Sequence, residues 1–177
     1  MKAIFAKLLA ASMLICTLFG ALPAQADIQS QVNRLQDTQE IINLVNTFTI
    51  YLDEAEIDKY VNSFADGGHF KIENEQGKID INLEKSKMSA FFTPRFAEFK
   101  KNGQQRRHLF TNVSVASQTQ KDAFVRLNAL LTSTQNNVLS LVTTMTYDLT
   151  LVKTSAGQWK FKEVVSKLDR ALDAKVD

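Results

Sequence analysis

The chain has 177 residues, of which 21 are Lys or Arg and 19 are Asp or Glu, so its net charge is close to zero. A chain of this charge lacks the electropositive surface that nucleic-acid binding requires. Cys16 is the only cysteine, which excludes a disulfide within the chain and a paired-cysteine metal site. The fold must therefore be stabilised by a hydrophobic core.

The first 26 residues have the three zones of a cleavable secretory signal peptide. Lys2 and Lys7 give a positive start, an apolar run follows at 8–22, and Ala-Gln-Ala at 24–26 suits signal peptidase. The run is shorter than the ~20 residues that span a bilayer, although an uncleaved N-terminal anchor is the alternative. We predict export to the periplasm or the extracellular space. The mature domain, 27–177, then carries 19 basic and 19 acidic residues.

Helical patterns occupy most of the first half of this domain. Apolar residues at helical spacing over 28–52 indicate a long amphipathic helix. Asp58 is predicted to cap a short second helix, because its carboxylate can accept from the free amide groups of the first turn. Residues 84–101 return to helical spacing. Pro94 suits a first helical position, which predicts a break in this segment with Thr93 as the new cap.

Strand patterns dominate the remainder. A short alternating strand is predicted at 69–73. Four longer segments rich in Val, Thr, Leu and aromatic residues are separated by polar turns: 107–115, 123–131, 138–152 and 159–165. Their hairpin spacing predicts an antiparallel meander. Helices first and strands after predict an α+β domain, with helices packed on one face of a curved sheet.

Several short sequence segments (called local phrases below), in their order along the chain, are similar to segments of a known family. They are Tyr51-Leu52-Asp53 at the end of the first helix, residues 57–66 after it, residues 107–112 opening the first long strand, and residues 157–161 opening the last. On these phrases the chain resembles SnoaL-like domains of the nuclear transport factor 2-like superfamily, in the polyketide cyclase and scytalone dehydratase branch, over nearly all of 30–172.

The resemblance implies a cone, in which a strongly curved, mostly antiparallel sheet wraps a long N-terminal helix. Two further short helical segments complete the fold, and an apolar pocket lies at the open end. Members of this group include dehydratases, isomerases, cyclases and non-enzymatic ligand binders. Fold alone therefore does not settle the function.

Asp53 and His108 are the predicted catalytic residues. Asn46, Thr49 and Asp53 form a polar stripe beside the apolar face of the first helix, as a pocket wall requires. The resemblance implies that Asp53 and His108 lie in the pocket, where the histidine acts as a general acid or base. The alternatives are a solvated carboxylate at the helix end and a histidine that only closes the pocket.

The other predicted ligand-binding residues come from the strands and the aromatic clusters. If His108 faces inward, strand alternation brings Phe110 and Asn112 to the same face. Asp148 shares a strand face with three threonines, and that face either lines the pocket or meets water. Asn128 lies in the stretch where the dehydratases carry a further histidine, which is absent here.

Phenylalanines at helical spacing over 91–99 are expected mainly in the core, although Phe92 and, on the short strand, Phe70 are assigned to the ligand site. Lys100, Lys101, Arg106 and Arg107 are expected to form a solvated basic turn.

These residues support competing functions. One is an enzyme that dehydrates, isomerises or cyclises a small apolar carbonyl compound without a cofactor. The alternatives are a non-catalytic domain that binds a small apolar molecule and an interaction domain that forms a homodimer through its sheet. No metal is predicted, since a zinc pair of His69 and His108 would need further ligands that no spacing motif suggests. Nucleic acid is not an expected partner, nor is a membrane after signal cleavage.

Overall fold

The structure, a computed structural model, describes residues 22–170 and residue 172. Most of the predicted signal peptide lies outside the described residues, and its cleavage stays a prediction. The chain divides into two compact units, 1–37 and 38–177. Described residues of the first unit form the beginning of helix α1 (Leu22–Asp53). No helix in the described part of the chain is both long and apolar enough to cross a membrane.

Helix α1 buries the apolar side that its sequence predicts. Within the second unit the fully buried positions recur at helical spacing: Ile41, Val45, Phe48 and Leu52. The helix stops at Asp53 because Ala55 adopts a left-handed conformation with φ of 58°. The three amide groups after Asp53 then bond to carbonyls of the last turn. This ending holds the Asp53 side chain at a defined place beside the core.

Two more helices and six strands follow α1. They are α2 (Ile57–Asn62), β1 (Phe64–Glu73), β2 (Ile79–Glu84), α3 (Lys85–Lys101), β3 (Gln105–Gln118), β4 (Asp122–Gln135), β5 (Val138–Lys153) and β6 (Trp159–Leu168). The strands form one open sheet in the order β2-β1-β6-β5-β4-β3. All neighbours are antiparallel except β1 and β6. Bulges in every one of these pairings bend the sheet. The predicted α+β fold with a long N-terminal helix and a curved sheet is confirmed.

Several local predictions are wrong. Glu56 occupies the cap position of α2, and Asp58 lies within its first turn. Helix α3 continues through Pro94 without the expected break. One main-chain hydrogen bond is lost there, but burial of the phenylalanine side chains on the same helix offsets that cost. Strand β1 starts five residues earlier than the predicted strand, and β2 was not predicted at all.

Aromatic rings connect the core to the site. Phe48 packs on Tyr60 and Phe161, with ring centroids 4.9 Å apart in each case. Tyr60 in turn contacts Phe92 of α3 at 5.1 Å. Gly68 lets β1 pass close to β6, since a Cβ atom there would lie 2.9 Å from the main-chain oxygen of Phe161. Phe70, two residues further along β1, is buried in the same core, and its ring centroid lies 5.5 Å from that of Phe92.

A bulge in β3 determines which of its side chains face inward. The pairing of β3 with β4 shifts just before Ser114, and Asn112 has a left-handed backbone with φ of 52°. Before the bulge, His108 and Phe110 are half-buried and their neighbours are exposed; after it, Val113 takes the inward face. The prediction that Asn112 faces inward is wrong, because the extra residue reverses the alternation.

Candidate functional site

Asp53 and His108 are joined by two hydrogen bonds. The main-chain N–H of His108 donates to Asp53 Oδ2 at 2.8 Å, and its ring Nδ1 lies 2.6 Å from Asp53 Oδ1. Both side chains are largely buried, with 8% of Asp53 and 11% of His108 exposed. A carboxylate only accepts hydrogen bonds, so we assign the hydrogen to Nδ1. In the neutral form of this tautomer, the free lone pair of the ring is on Nε2.

The end of α1 is attached to the start of β3 by further polar contacts. The main-chain carbonyl of Asp53 accepts from the side-chain amide of Gln105 at 3.0 Å. Arg107 pairs with Glu54 at 3.1 Å, which places a cation near the helix C-terminus, where it is favoured. These contacts fix the backbone on both sides of the Asp53–His108 pair, so the ring position does not depend on one hydrogen bond.

His108 lines a cavity of about 90 Å³ in the second unit. Helices α1 and α3 and strands β1 and β3 to β6 all contribute to its wall. Most of the lining is apolar, with Leu52, Phe70, Phe92, Leu131, Met145 and Leu168 among the residues that form it. Five polar side chains also line it: Arg95, Arg106, His108, Tyr147 and Ser166. An apolar cavity with a few convergent polar groups is the usual form of a small-molecule site.

The structure brings five of the nine predicted site residues to this region. His108, Phe70 and Phe92 line the cavity directly. Asp53 does not line the cavity itself but hydrogen-bonds to His108. Phe110 packs on Tyr147, and the centroids of these two rings are 5.1 Å apart. The predicted catalytic pair and all three predicted aromatic site residues are therefore in this region.

The other four predicted residues do not line the cavity. Asn46 is exposed, and the buried Thr49 hydroxyl donates to the main-chain oxygen of Asn46 at 3.1 Å. Asn128 is exposed on the side of β4 that points away from the core. Asp148 is likewise on the outer face of the sheet.

Asp148 has an ionic environment of its own. Arg126 donates to its two carboxylate oxygens at 2.7 and 2.9 Å, and Lys167 lies 2.8 Å away. The hydrogen bond from Arg126, helped by Lys167, holds the pKa of Asp148 below its ordinary value. The sequence did not decide which face of β5 lines the cavity. The face that carries Met145 and Tyr147 lines it, and the face that carries the threonines and Asp148 does not.

Tyr147 is a site residue that the sequence did not identify. Its side chain is 3% exposed, and it pairs with Ser166 across β5 and β6. Burial raises the pKa of Tyr147 to about 12; the charge of Asp53 adds to this rise, and a hydrogen bond with Ser166 opposes it. The hydroxyl therefore stays protonated over the whole neutral range and can donate a hydrogen bond into the cavity.

The raised pKa of Tyr147 predicts a loss of stability in alkali. The folded state holds this proton more tightly than the unfolded state, so stability is unaffected below pH 10 and falls as the pH rises from 10 towards 12. Between pH 9 and 11 the parent protein should lose about 1 kcal/mol more than Tyr147→Phe in urea unfolding. Parallel pH profiles for the two proteins would contradict this assignment.

Solved structures with the same architecture place the fold in a known class. An ntf2-like protein with a cystatin-like fold from Novosphingobium aromaticivorans is 14% identical, with a TM-score of 0.71 over 88% of this chain and 95% of its own. A candidate scytalone dehydratase from the same organism is 15% identical, with a TM-score of 0.65 over 83% and 93%. A Catenulispora acidiphila protein in complex with S-DNPA is 17% identical, with a TM-score of 0.60 over 76% and 95%. At these identities the similarity shows a shared nuclear transport factor 2-like fold.

The family follows from the sequence comparison. Residues 33–165 match the family model of the SnoaL-like domain, so the chain belongs to the SnoaL-like domain family. The resemblance stated from the local phrases is thereby confirmed. A comparison with curated protein sequences gives no match.

Proposed function

We propose that this protein is an exported SnoaL-like domain that binds a small apolar carbonyl compound and moves a proton on it through His108. One observation carries the proposal. The carboxylate of Asp53 accepts from Nδ1 of His108 at 2.6 Å, while the same histidine lines the apolar cavity. This arrangement leaves Nε2 as the nitrogen available to a bound molecule.

The proposed chemistry needs only groups that this chain supplies. Nε2 of neutral His108 takes a proton from the carbon next to the carbonyl, and the negative charge of Asp53 stabilises the imidazolium that forms. Tyr147 donates a hydrogen bond to the enolate oxygen. In a β,γ-unsaturated ketone the proton then returns to the far carbon of the dienolate, which isomerises the ligand. In a β-hydroxy ketone the proton goes to the hydroxyl group, which leaves as water as the enolate forms the new C=C bond. Atoms and charges balance in both cases.

The size of the cavity limits the ligand. Its volume of about 90 Å³ is below the ~150 Å³ of a protein cavity that holds benzene. A single-ring compound therefore requires the wall to move, and the flexible side chain of Met145 is suited to such a movement. Acetophenone, with one ring, one carbonyl and exchangeable methyl hydrogens, is a suitable first probe.

Deuterium incorporation into acetophenone tests the proposed reaction. The methyl signal should disappear from the proton NMR spectrum in D₂O faster with the protein than with free imidazole at the same concentration. Saturable binding without exchange would instead support the alternative function, a non-catalytic binding domain. If acetophenone neither bound to the protein nor exchanged its methyl hydrogens, the proposal would be contradicted.

Export, a retained ligand and self-association are tested together by native mass spectrometry of the protein recovered from the exported fraction. We expect a polypeptide that begins at Asp27.

A homodimer through the sheet is supported by Leu109 and Leu130, which are cross-strand partners and are 50% and 37% exposed. A full-length mass would exclude cleavage, and a monomer at micromolar concentration would exclude a stable dimer.

A further inference from the structure

Two arginines line the cavity beside its aromatic wall. The Arg95 guanidinium of α3 lies over the Phe91 ring at 4.2 Å, and the Arg106 guanidinium of β3 lies over the Phe99 ring at 4.2 Å. Cation–π contacts of this kind hold a guanidinium in place without using its hydrogen-bond donors. Both arginines also line a more open depression next to the cavity. Both arginines therefore border the cavity and the more open depression beside it.

Neither arginine is neutralised in the described part of the chain. Arg107 and Arg126 each form an ion pair with a carboxylate, but no ion pair within the described residues involves Arg95 or Arg106. Glu98 lines the outer depression with them, without reaching ion-pair distance of either. The Nε atom of Arg106 is buried and has no hydrogen-bond partner among the described residues.

The two positive charges act on each other. Burial lowers the pKa of Arg106, and the charge of Arg95 lowers it further. Arg106 is half-buried and Arg95 is exposed, so the cost of an unpaired, partly desolvated cation falls on Arg106, and the neighbouring charge of Arg95 adds to it. An anion that reaches both groups would remove this penalty. A carboxylate fits best, because its two oxygens match the parallel N–H groups of a guanidinium.

We propose that Arg95 and Arg106 form the binding site for a carboxylate group of the ligand. The ligand is then a small aromatic or alicyclic carbonyl acid, whose ring lies in the apolar cavity and whose carboxylate lies at the arginines. This inference rests on the proposed function, because the same cavity must receive the ring. It adds the charge of the ligand, which the Asp53–His108 pair alone does not specify.

A pair of matched probes tests the inference. 3-Phenylpropanoate and 3-phenylpropanamide have nearly the same shape and differ in charge. In NMR titrations the carboxylate should bind the parent protein about tenfold more tightly or better, since charge-assisted hydrogen bonds are much stronger than neutral ones. Arg95→Met and Arg106→Met should each reduce this preference, and the double variant should bind the carboxylate and the amide equally well. Arg126→Met removes one charge from the outer face of the sheet and should retain the preference.

The outcomes separate this inference from the proposed function. Equal affinities for the two probes, or an undiminished preference in the double variant, would overturn the carboxylate site and leave the apolar cavity in place. If neither probe binds, the carboxylate site and the binding cavity are both wrong.

Stability distinguishes a binding role from a structural one. Arg106→Met should melt at the same temperature as the parent or higher, because an unneutralised charge is removed. A lower melting temperature together with a retained carboxylate preference would make Arg106 a structural residue and overturn the inference.

Discussion

Replacing His108 with glutamine is expected to lower the rate of deuterium incorporation into acetophenone by about 10²–10⁴-fold, the usual contribution of a general acid or base. Glutamine retains polar groups of similar size but cannot take and return a proton near neutral pH. The main-chain N–H of residue 108 still donates to Asp53 Oδ2, a bond of 2.8 Å in the parent. The variant should therefore remain folded, and proton NMR in D₂O measures the loss.

His69 provides the matched control, since it is the only other histidine in the chain. It is half-buried on β1 and does not line the cavity, and its Nδ1 lies 2.9 Å from Asn82 Oδ1. His69→Gln should exchange deuterium at the parental rate. If His108→Gln also exchanged at that rate, His108 would not be the base. If His69→Gln were impaired instead, exchange would occur at an imidazole outside the cavity.

Asp53→Asn is expected to have the second largest effect, a loss of about 10²–10³-fold in the same exchange rate. The carboxylate accepts two hydrogen bonds from His108, whereas an amide has one accepting oxygen and a donating NH₂ group. The ring is then driven to the tautomer with hydrogen on Nε2, which removes the lone pair from the cavity. The charge that stabilises the imidazolium is lost as well.

The same substitution should cost stability, which urea unfolding measures. Two charge-assisted hydrogen bonds between residue 53 and His108 become neutral ones, at a total cost of about 1–3 kcal/mol. Glu54→Gln is the control: this neighbouring acid is 54% exposed and pairs with Arg107, so both rate and stability should change little. An Asp53→Asn protein with the parental exchange rate would show that Asp53 does not position the base.

Much of the fold could be predicted because its elements carry strong periodic signals. The first helix buries every third or fourth residue from Ile41 to Leu52, and β4 and β5 bury alternate residues over long stretches. Helix α3 was harder to predict, because the cost of Pro94 is local while the burial that offsets it is spread over other side chains of the same helix. Gly67 and Gly68 resemble a turn, yet they belong to a strand whose close contact with β6 could not be seen in the sequence.

The site was predictable only in part, because the sequence does not show which face of each strand points into the cavity. Asp53 and His108 occur in phrases that resemble the family, but strand alternation gives two faces without saying which one points inward. Tyr147 and Asp148 could therefore not be assigned until the packing of β5 was known. Arg106 was expected in a solvated basic turn with Arg107. Alternation in β3 instead turns Arg106 into the cavity and leaves Arg107 outside.

The protonation of His108 is the most direct test of the central claim, that Asp53 holds this ring with Nε2 available to the ligand. Long-range ¹⁵N–¹H NMR of the labelled protein reports the tautomer of each histidine. We expect hydrogen on Nδ1 of His108, and a shift of its Nε2 signal when acetophenone is added, while the signals of His69 stay unchanged. Hydrogen on Nε2 of His108, with no response to the ligand, would contradict the account.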